Sequence, residues 1–198
     1  PVHQGRVSDP TMRRLMAFES LSLDGYFAGA KGDLSWAHKE DAEWRAFVGG
    51  NASGGGGTLL FGRVTYELMV SYWPTPEATD AEPEVAGGMN DLPKVVFSRS
   101  LESVAWRNTR LVKEDLAGSV RAMKSEPGED MVILGSGSIV SQLAREGLID
   151  AYQIVVNPIV LGEGRPLWSG LRQRLPLRLT QTRAFGNGNV VLSYEPVT

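Results

Sequence analysis

Three apolar runs in this chain stop abruptly at a turn made of glycine, or of a hydroxyl beside an arginine. They are Phe61-Gly62-Arg63-Val64-Thr65, Val96-Phe97-Ser98-Arg99 and Ile133-Leu134-Gly135-Ser136-Gly137-Ser138. Helical patterning resumes directly after the first and the third. A strand that passes into a helix within a few residues is a βα unit, and repeated βα units fold as a mostly parallel sheet covered by helices. The same pattern says where a ligand would sit, because open α/β sheets bind ligands at the carboxyl ends of their strands.

The rest of the chain completes the pattern. Residues 14–22 (RLMAFESLS) read as a buried strand ending in the turn Leu23-Asp24-Gly25. Trp36, Trp44, Phe47 and Val48 fall near helical spacing, which predicts a helix over 36–48 with Glu40, Asp41 and Glu43 in its early turns, where the helix dipole favours acids. The glycine-rich run 49–57 is expected to end that helix as a flexible segment. A strand at 58–61 leads into a helix through Val70, and 72–85 reads as irregular before turning helical ahead of Met89. Strands at 94–98 and 131–134 bracket an amphipathic helix at 116–125. A further helix runs from the Gly135 turn to Glu146, and a strand at 151–156 is broken by Asn157-Pro158. Residues 175–183 and 189–195 alternate like hairpin arms joined near Gly186-Asn187-Gly188. The expected fold class is α/β, a central, mostly parallel mixed sheet flanked by helices with a C-terminal antiparallel hairpin. Residues 1–11 are polar and lack periodicity, and read as a flexible extension or an appended remnant before Met12.

Composition narrows the chemistry. With 198 residues, one well-filled core is expected rather than two domains. A net charge of -3 argues against nucleic acid as the main partner, since phosphate backbones need a basic face. No run reaches the roughly 18 to 20 apolar residues that span a bilayer, and no secretory signal pattern is present, so a cytoplasmic protein is the plain reading. The absence of cysteine removes disulfides, thiolate metal sites and a thiol nucleophile. Only His3 and His38 are present, and no metal is expected.

Each turn has a ligand-binding reading and a plain one. Backbone amides of Gly135, Ser136, Gly137 and Ser138 at a helix start suit a diphosphate, although Val140 stands where the third glycine of the dinucleotide fingerprint would be, and a tight turn is the alternative. Thr65 can cap its helix and reach an anion, and Arg63 can add a guanidinium, against a surface arginine and an ordinary cap. Ser98 beside Arg99 offers the hydroxyl and guanidinium that a ribose 2′-phosphate requires. His38 could relay protons or simply be solvated. Trp44 and Phe47 could stack on a heteroaromatic substrate or pack in the core. Asp24 could be catalytic or could cap its own turn.

Taken in order, the junctions resemble the dihydrofolate reductase superfamily, including the reductase domain of the bifunctional deaminase-reductase of riboflavin biosynthesis. The resemblance spans Met12 to Pro196. It rests on Ser22-Leu23-Asp24-Gly25-Tyr26-Phe27-Ala28, on Gly32-Asp33-Leu34-Ser35-Trp36, on the three turns above, and on Asn157-Pro158-Ile159-Val160-Leu161-Gly162-Glu163-Gly164. It implies a single reductase domain over 12–198 that binds NADPH and transfers a hydride to a small heterocyclic substrate, pterin-like or a ribosylaminopyrimidine. A non-catalytic binding module on the same fold is the alternative.

By resemblance, Gly62, Arg63 and Thr65 contact the cofactor phosphates and Ser98 and Arg99 read the 2′-phosphate. Gly135 through Ile139 (Gly135, Ser136, Gly137, Ser138, Ile139) form the pyrophosphate turn, and the backbone at Ala17 meets the nicotinamide carboxamide. Residues 22–25 resemble the mobile loop over the nicotinamide, and the riboflavin-type enzymes share their Ser-Leu-Asp-Gly. The substrate acid is Glu43, flanked by aromatics as in the vertebrate pattern, or Asp41, which fits the bacterial spacing from Trp36. Two positions depart from the family: Val140 replaces a tyrosine, and Ser136 a second glycine. A homodimer through the edge of the terminal hairpin is also implied.

Overall fold

The computed structural model describes residues 12–37, 41–54 and 57–197. The expected boundary at Met12, apart from Met12 itself, and His38 lie outside the described residues. Strand β1 (Leu15–Ser22) opens the chain, followed by the short β2 (Tyr26–Ala28) and helix α1 (Ala42–Gly54). Then come β3 (Thr58–Gly62), α2 (Arg63–Tyr72), α3 (Pro76–Ala81), α4 (Pro83–Asp91), β4 (Lys94–Phe97) and β5 (Thr109–Val112). The remainder is α5 (Leu116–Ser125), β6 (Met131–Leu134), α6 (Gly137–Arg145), β7 (Ala151–Asn157), β8 (Arg165–Pro166), β9 (Leu177–Ala184) and β10 (Val190–Pro196).

Eight strands form one sheet in the order β5-β4-β3-β6-β1-β7-β10-β9. Pairing is parallel from β5 across to β7, and antiparallel where β10 joins β7 and β9 closes the edge. Alternation along the strands divides the core between two faces. Leu15, Ala17 and Leu21 of β1 pack with Val120 and Met123 of α5 and with Ile139 and Leu143 of α6. On the other face Leu59, Phe61 and Val96 meet Tyr66 of α2 and Val85 and Met89 of α4, while Phe18 packs with Trp44 and Phe47 of α1 and with Phe185.

Three expectations about elements are corrected. Residues 36–48 are not one helix: Ser35–Ala37 is a separate 3-10 turn, and α1 begins at Ala42, where the Asp41 carboxylate accepts the Trp44 amide at 2.8 Å. That helix does not stop at Gly49 but continues to Gly54. Packing overrides propensity here, since α1 lies against α4, a side-chain carbon at Gly49 would already touch Val85, and Asn51 donates to Gln153 at 3.1 Å. Residues 72–85 hold more helix than expected, with Thr75 capping α3 and prolines opening both α3 and α4. Among the described residues no helix is long and apolar enough to cross a membrane, and no three acidic or histidine side chains gather as a metal site.

Candidate functional site

Strands β3 and β6 are neighbours, yet the helices that follow them leave to opposite faces, α2 toward the Val85 side and α6 toward the Leu143 side. Adjacent strands that part company in this way open a crevice at their carboxyl ends, which is where α/β sheets bind ligands. A cleft of about 1670 Å³ runs past this edge. Two helix N-termini face it, and neither has a hydrogen bond from its own N-cap side chain. Their leading amides and dipoles make the crevice electropositive without requiring a basic surface.

Ser136 joins the two turns. Its hydroxyl accepts the Gly62 amide at 2.7 Å and donates to Thr65 Oγ1 at 2.8 Å. To do so it adopts a left-handed backbone, φ 63°, and Gly135 before it has φ 54°. The glycine at 137 is required sterically, because a β-carbon there would lie 2.5 Å from the Phe27 ring. One strand further out, the Ser98 hydroxyl accepts the amides of Ser100 at 3.2 Å and Leu101 at 3.1 Å, which folds the turn so that Arg99 is exposed on the cleft. The Arg63 guanidinium pairs with Glu67 at 2.9 Å on the exposed side of α2. Thus Gly62, Arg63, Thr65, Ser98, Arg99, Gly135, Ser136, Gly137, Ser138 and Ile139 all border the cleft.

Other residues singled out from the sequence lie elsewhere. Ala17 is fully buried, paired with Ile133 on one side and Tyr152 on the other, while its β1 neighbours Leu15, Met16, Phe18, Glu19 and Ser20 border the cleft. Asp41 is spent on capping α1. Glu43 is exposed and pairs with Arg183 of β9 at 2.9 Å. Neither acid borders the cleft, because α1 starts later than expected and its rotation points both away. Trp44 borders it, whereas Phe47 packs on Trp44 and Phe185, with ring centroids 5.6 and 5.1 Å away. Asp24 is exposed and takes the amides of Leu161 at 3.1 Å and Gly162 at 2.8 Å, while Leu23 donates to Ile159 at 2.8 Å. The Ser22 hydroxyl first, and then these amides, hold the Asp24 carboxyl below its usual range. The 22–25 segment is therefore clasped to the loop after β7.

Two residues escaped the sequence reading. Glu19 is 2% exposed in the middle of the central strand, and burial alone pushes its carboxyl up to about 8. Its Oε1 has no hydrogen-bond partner. The signal was an acid inside an otherwise apolar strand. Lys113 follows Val112, which pairs with Phe97, so it lies beside Ser98 at the cleft, on a strand the sequence reading missed.

The model of the RibD C-terminal domain family matches residues 13–191. The uncharacterized protein YyaP of Bacillus subtilis (strain 168) is 29% identical over 184 residues, covering 92% of this chain and 95% of that protein. A putative riboflavin biosynthesis protein from Shewanella sp. PV-4 superposes with a TM-score of 0.71 at 23% identity, over 93% of this chain and 99% of that one. Dihydrofolate reductase from Enterococcus faecalis, complexed with NADP(H) and RAB-propyl, gives 0.64 at 15% identity, over 93% and 97%. The match over residues 13–191 places this chain in the RibD C-terminal domain family, and its fold is shared with dihydrofolate reductase.

Proposed function

We propose that this protein is an NADPH-dependent reductase that transfers a hydride to a C=N or C=O bond of a small heterocyclic substrate. The observation that carries the reading is the pair of helix N-termini, α2 and α6, stitched together by Ser136 at a crevice between parting helices. The residues present fit a dinucleotide phosphate. The α2 and α6 termini would hold its diphosphate, with Thr65 able to donate its own hydroxyl proton. Arg99, Ser98 and Lys113 would hold the 2′-phosphate. When bound, the nicotinamide supplies the hydride, and the protein's part is alignment and exclusion of water.

A second reading, a non-catalytic NADPH-binding or small-molecule-binding module, is favoured by one observation: Asp41 and Glu43, the candidate acids at the start of α1, are both engaged away from the cleft. Titration with NADPH, followed by quenching of the five tryptophans, tests the cofactor. No quenching at submillimolar NADPH sinks both NADPH readings. Quenching followed by NADPH oxidation with 7,8-dihydrofolate or the ribosylaminopyrimidine phosphate supports the reductase, and quenching without oxidation by either favours the module. The exposed edge strand β9 also supports a homodimer, which sedimentation would detect.

A further inference from the structure

Helix α1 packs over β7, its Trp44 and Phe47 meeting Phe18 of β1, Val155 of β7 and Val191 of β10, whereas α2 packs over β3 and β4. Three strand spacings separate β3 from β7. That is roughly 14 Å, against about 8–10 Å for helices in direct contact, and the excess of about 4 Å is the thickness of one flat ring. The two helices therefore leave a slot above β6 and β1, floored by Leu134 and Phe18. It is closed at its amino end, where a side-chain carbon at Gly49 of α1 would touch Val85 of α4, and open at the edge stitched by Ser136.

The walls are two helical stripes. Trp44 and Val48 stand one turn apart on α1. On α2, Val64 and Leu68 are one turn apart, as are Met69 and Trp73, and all six residues border the cleft. Val64 and Leu68 are 57% and 48% exposed, so their apolar surface is open to whatever enters. Among the described residues, the charged side chains that border the cleft lie outside this slot. Arg63 pairs with Glu67 on the outer side of α2, and Arg14 pairs with Glu195 at the amino edge of the sheet. Arg99 and Lys113 stand beyond β3, after β4 and β5, and Glu19 alternates onto the opposite face with Ala17 and Leu21. The polar groups near the slot are uncharged: Ser20, and Asn51 donating to Gln153.

We infer that this slot takes an uncharged, planar ring carbonyl, sandwiched between α1 and α2, and that the acceptor of this protein carries no phosphate or carboxylate group. An anionic group there would lose its water with no cation to meet it. Flat apolar walls with two tryptophans instead match a conjugated ring. The proton balance agrees. The acceptor's electron-poor carbon takes the hydride, its conjugated π pair shifts to the carbonyl oxygen, and that oxygen takes a proton from water, while NADPH leaves as NADP+. No protein acid is needed for that step, and Asp41 and Glu43 are engaged elsewhere.

This inference rests on the reductase reading and narrows it to reduction of a C=O group. Two readouts separate them: equilibrium dialysis of a probe against the cofactor-free protein, and NADPH oxidation with the same probe. The probes are 1,4-naphthoquinone and 1,4-naphthoquinone-2-sulfonate, which share a ring system and differ by one charge, and the chain has no cysteine for a quinone to arylate. The uncharged probe should bind at least about tenfold more tightly and be reduced with at least about tenfold higher kcat/KM, although the sulfonate is the more electron-poor ring. Leu68→Arg puts a cation on the exposed wall and should shift both ratios toward the sulfonate about fivefold, the scale of one partly exposed charge pair.

Equal binding of the two probes, or a preference for the sulfonate, overturns the slot assignment and leaves the dinucleotide site standing, as do unchanged ratios in Leu68→Arg. Selective binding of the uncharged probe without NADPH oxidation overturns the reductase reading and leaves the slot. Because 7,8-dihydrofolate and the ribosylaminopyrimidine phosphate both carry anionic groups, turnover of the naphthoquinone also distinguishes such a reductase from the non-catalytic module. The wild-type ratios need no variant, so a misfolded substitution does not block the test.

Discussion

Ser136 accepts the Gly62 amide at 2.7 Å across two strands that are adjacent in space and 74 residues apart in sequence. The serine converts two independent turns into one edge. Ser136→Ala should cost about 2 kcal/mol, from two hydrogen bonds of about 1 kcal/mol each. Ser136→Gly loses the same bonds but relieves the left-handed backbone, worth about 1 kcal/mol, and should be the milder change. Urea denaturation of the two variants decides it, and the reverse order would refute the stitching role.

Arg99→Ala should weaken NADPH at least about tenfold and NADH by less than about twofold, because only the 2′-phosphate distinguishes the two cofactors. Lys113→Ala should act in the same direction, more weakly. Parallel losses for both cofactors would remove these residues from 2′-phosphate recognition.

Glu19 should make the protein less stable as pH rises. Its folded value near 8 lies above the unfolded value of 4.5, so between those pH values the folded state holds a proton that the unfolded chain has released. Stability then falls across that window and levels off above it. Glu19→Gln should flatten that decline, and Glu19→Leu should add roughly 1–3 kcal/mol at neutral pH by removing the unpartnered carboxyl. Thermal melts from pH 5 to 9 measure this, and identical wild-type and Glu19→Gln profiles would count against a buried, protonated Glu19.

Asp24→Asn should speed amide exchange at Leu161 and Gly162, the two amides its carboxylate accepts. The carboxyl is held below its usual range, so the clasp is present above the normal carboxylate value and is lost only as pH falls through the lowered one. Unchanged exchange at both amides would mean that Asp24 does not hold the loop.

Much of this was legible from spacing. The helix Leu116–Ser125 and the strand Met131–Leu134 match the sequence reading, since amphipathic and apolar runs with clear turn signals decide them locally. The turns at Gly62, Ser98 and Gly135 were visible for the same reason. Three things were not. The half-exposed β5 lacks an apolar run. The continuation of α1 through Gly54 depends on α4, about 30 residues away in the sequence. The directions of Asp41 and Glu43 depend on where α1 begins and how it is rotated, which spacing leaves open. Glu19 could be read as an acid in a strand, but its burial follows from β1 lying between β6 and β7, a fact of topology.

Strand order also has a consequence in time. β6 lies between β1 and β3, so the earliest and the intermediate parts of the cleft are not neighbours until a segment beginning at Met131 inserts between them. During synthesis on the ribosome, a nascent chain released short of Arg145 lacks a complete α6 and with it the shared edge. Any ligand held at that edge could therefore assist folding only once residue 145 has emerged, and until β6 and β7 enclose β1 the Glu19 carboxyl stays in water.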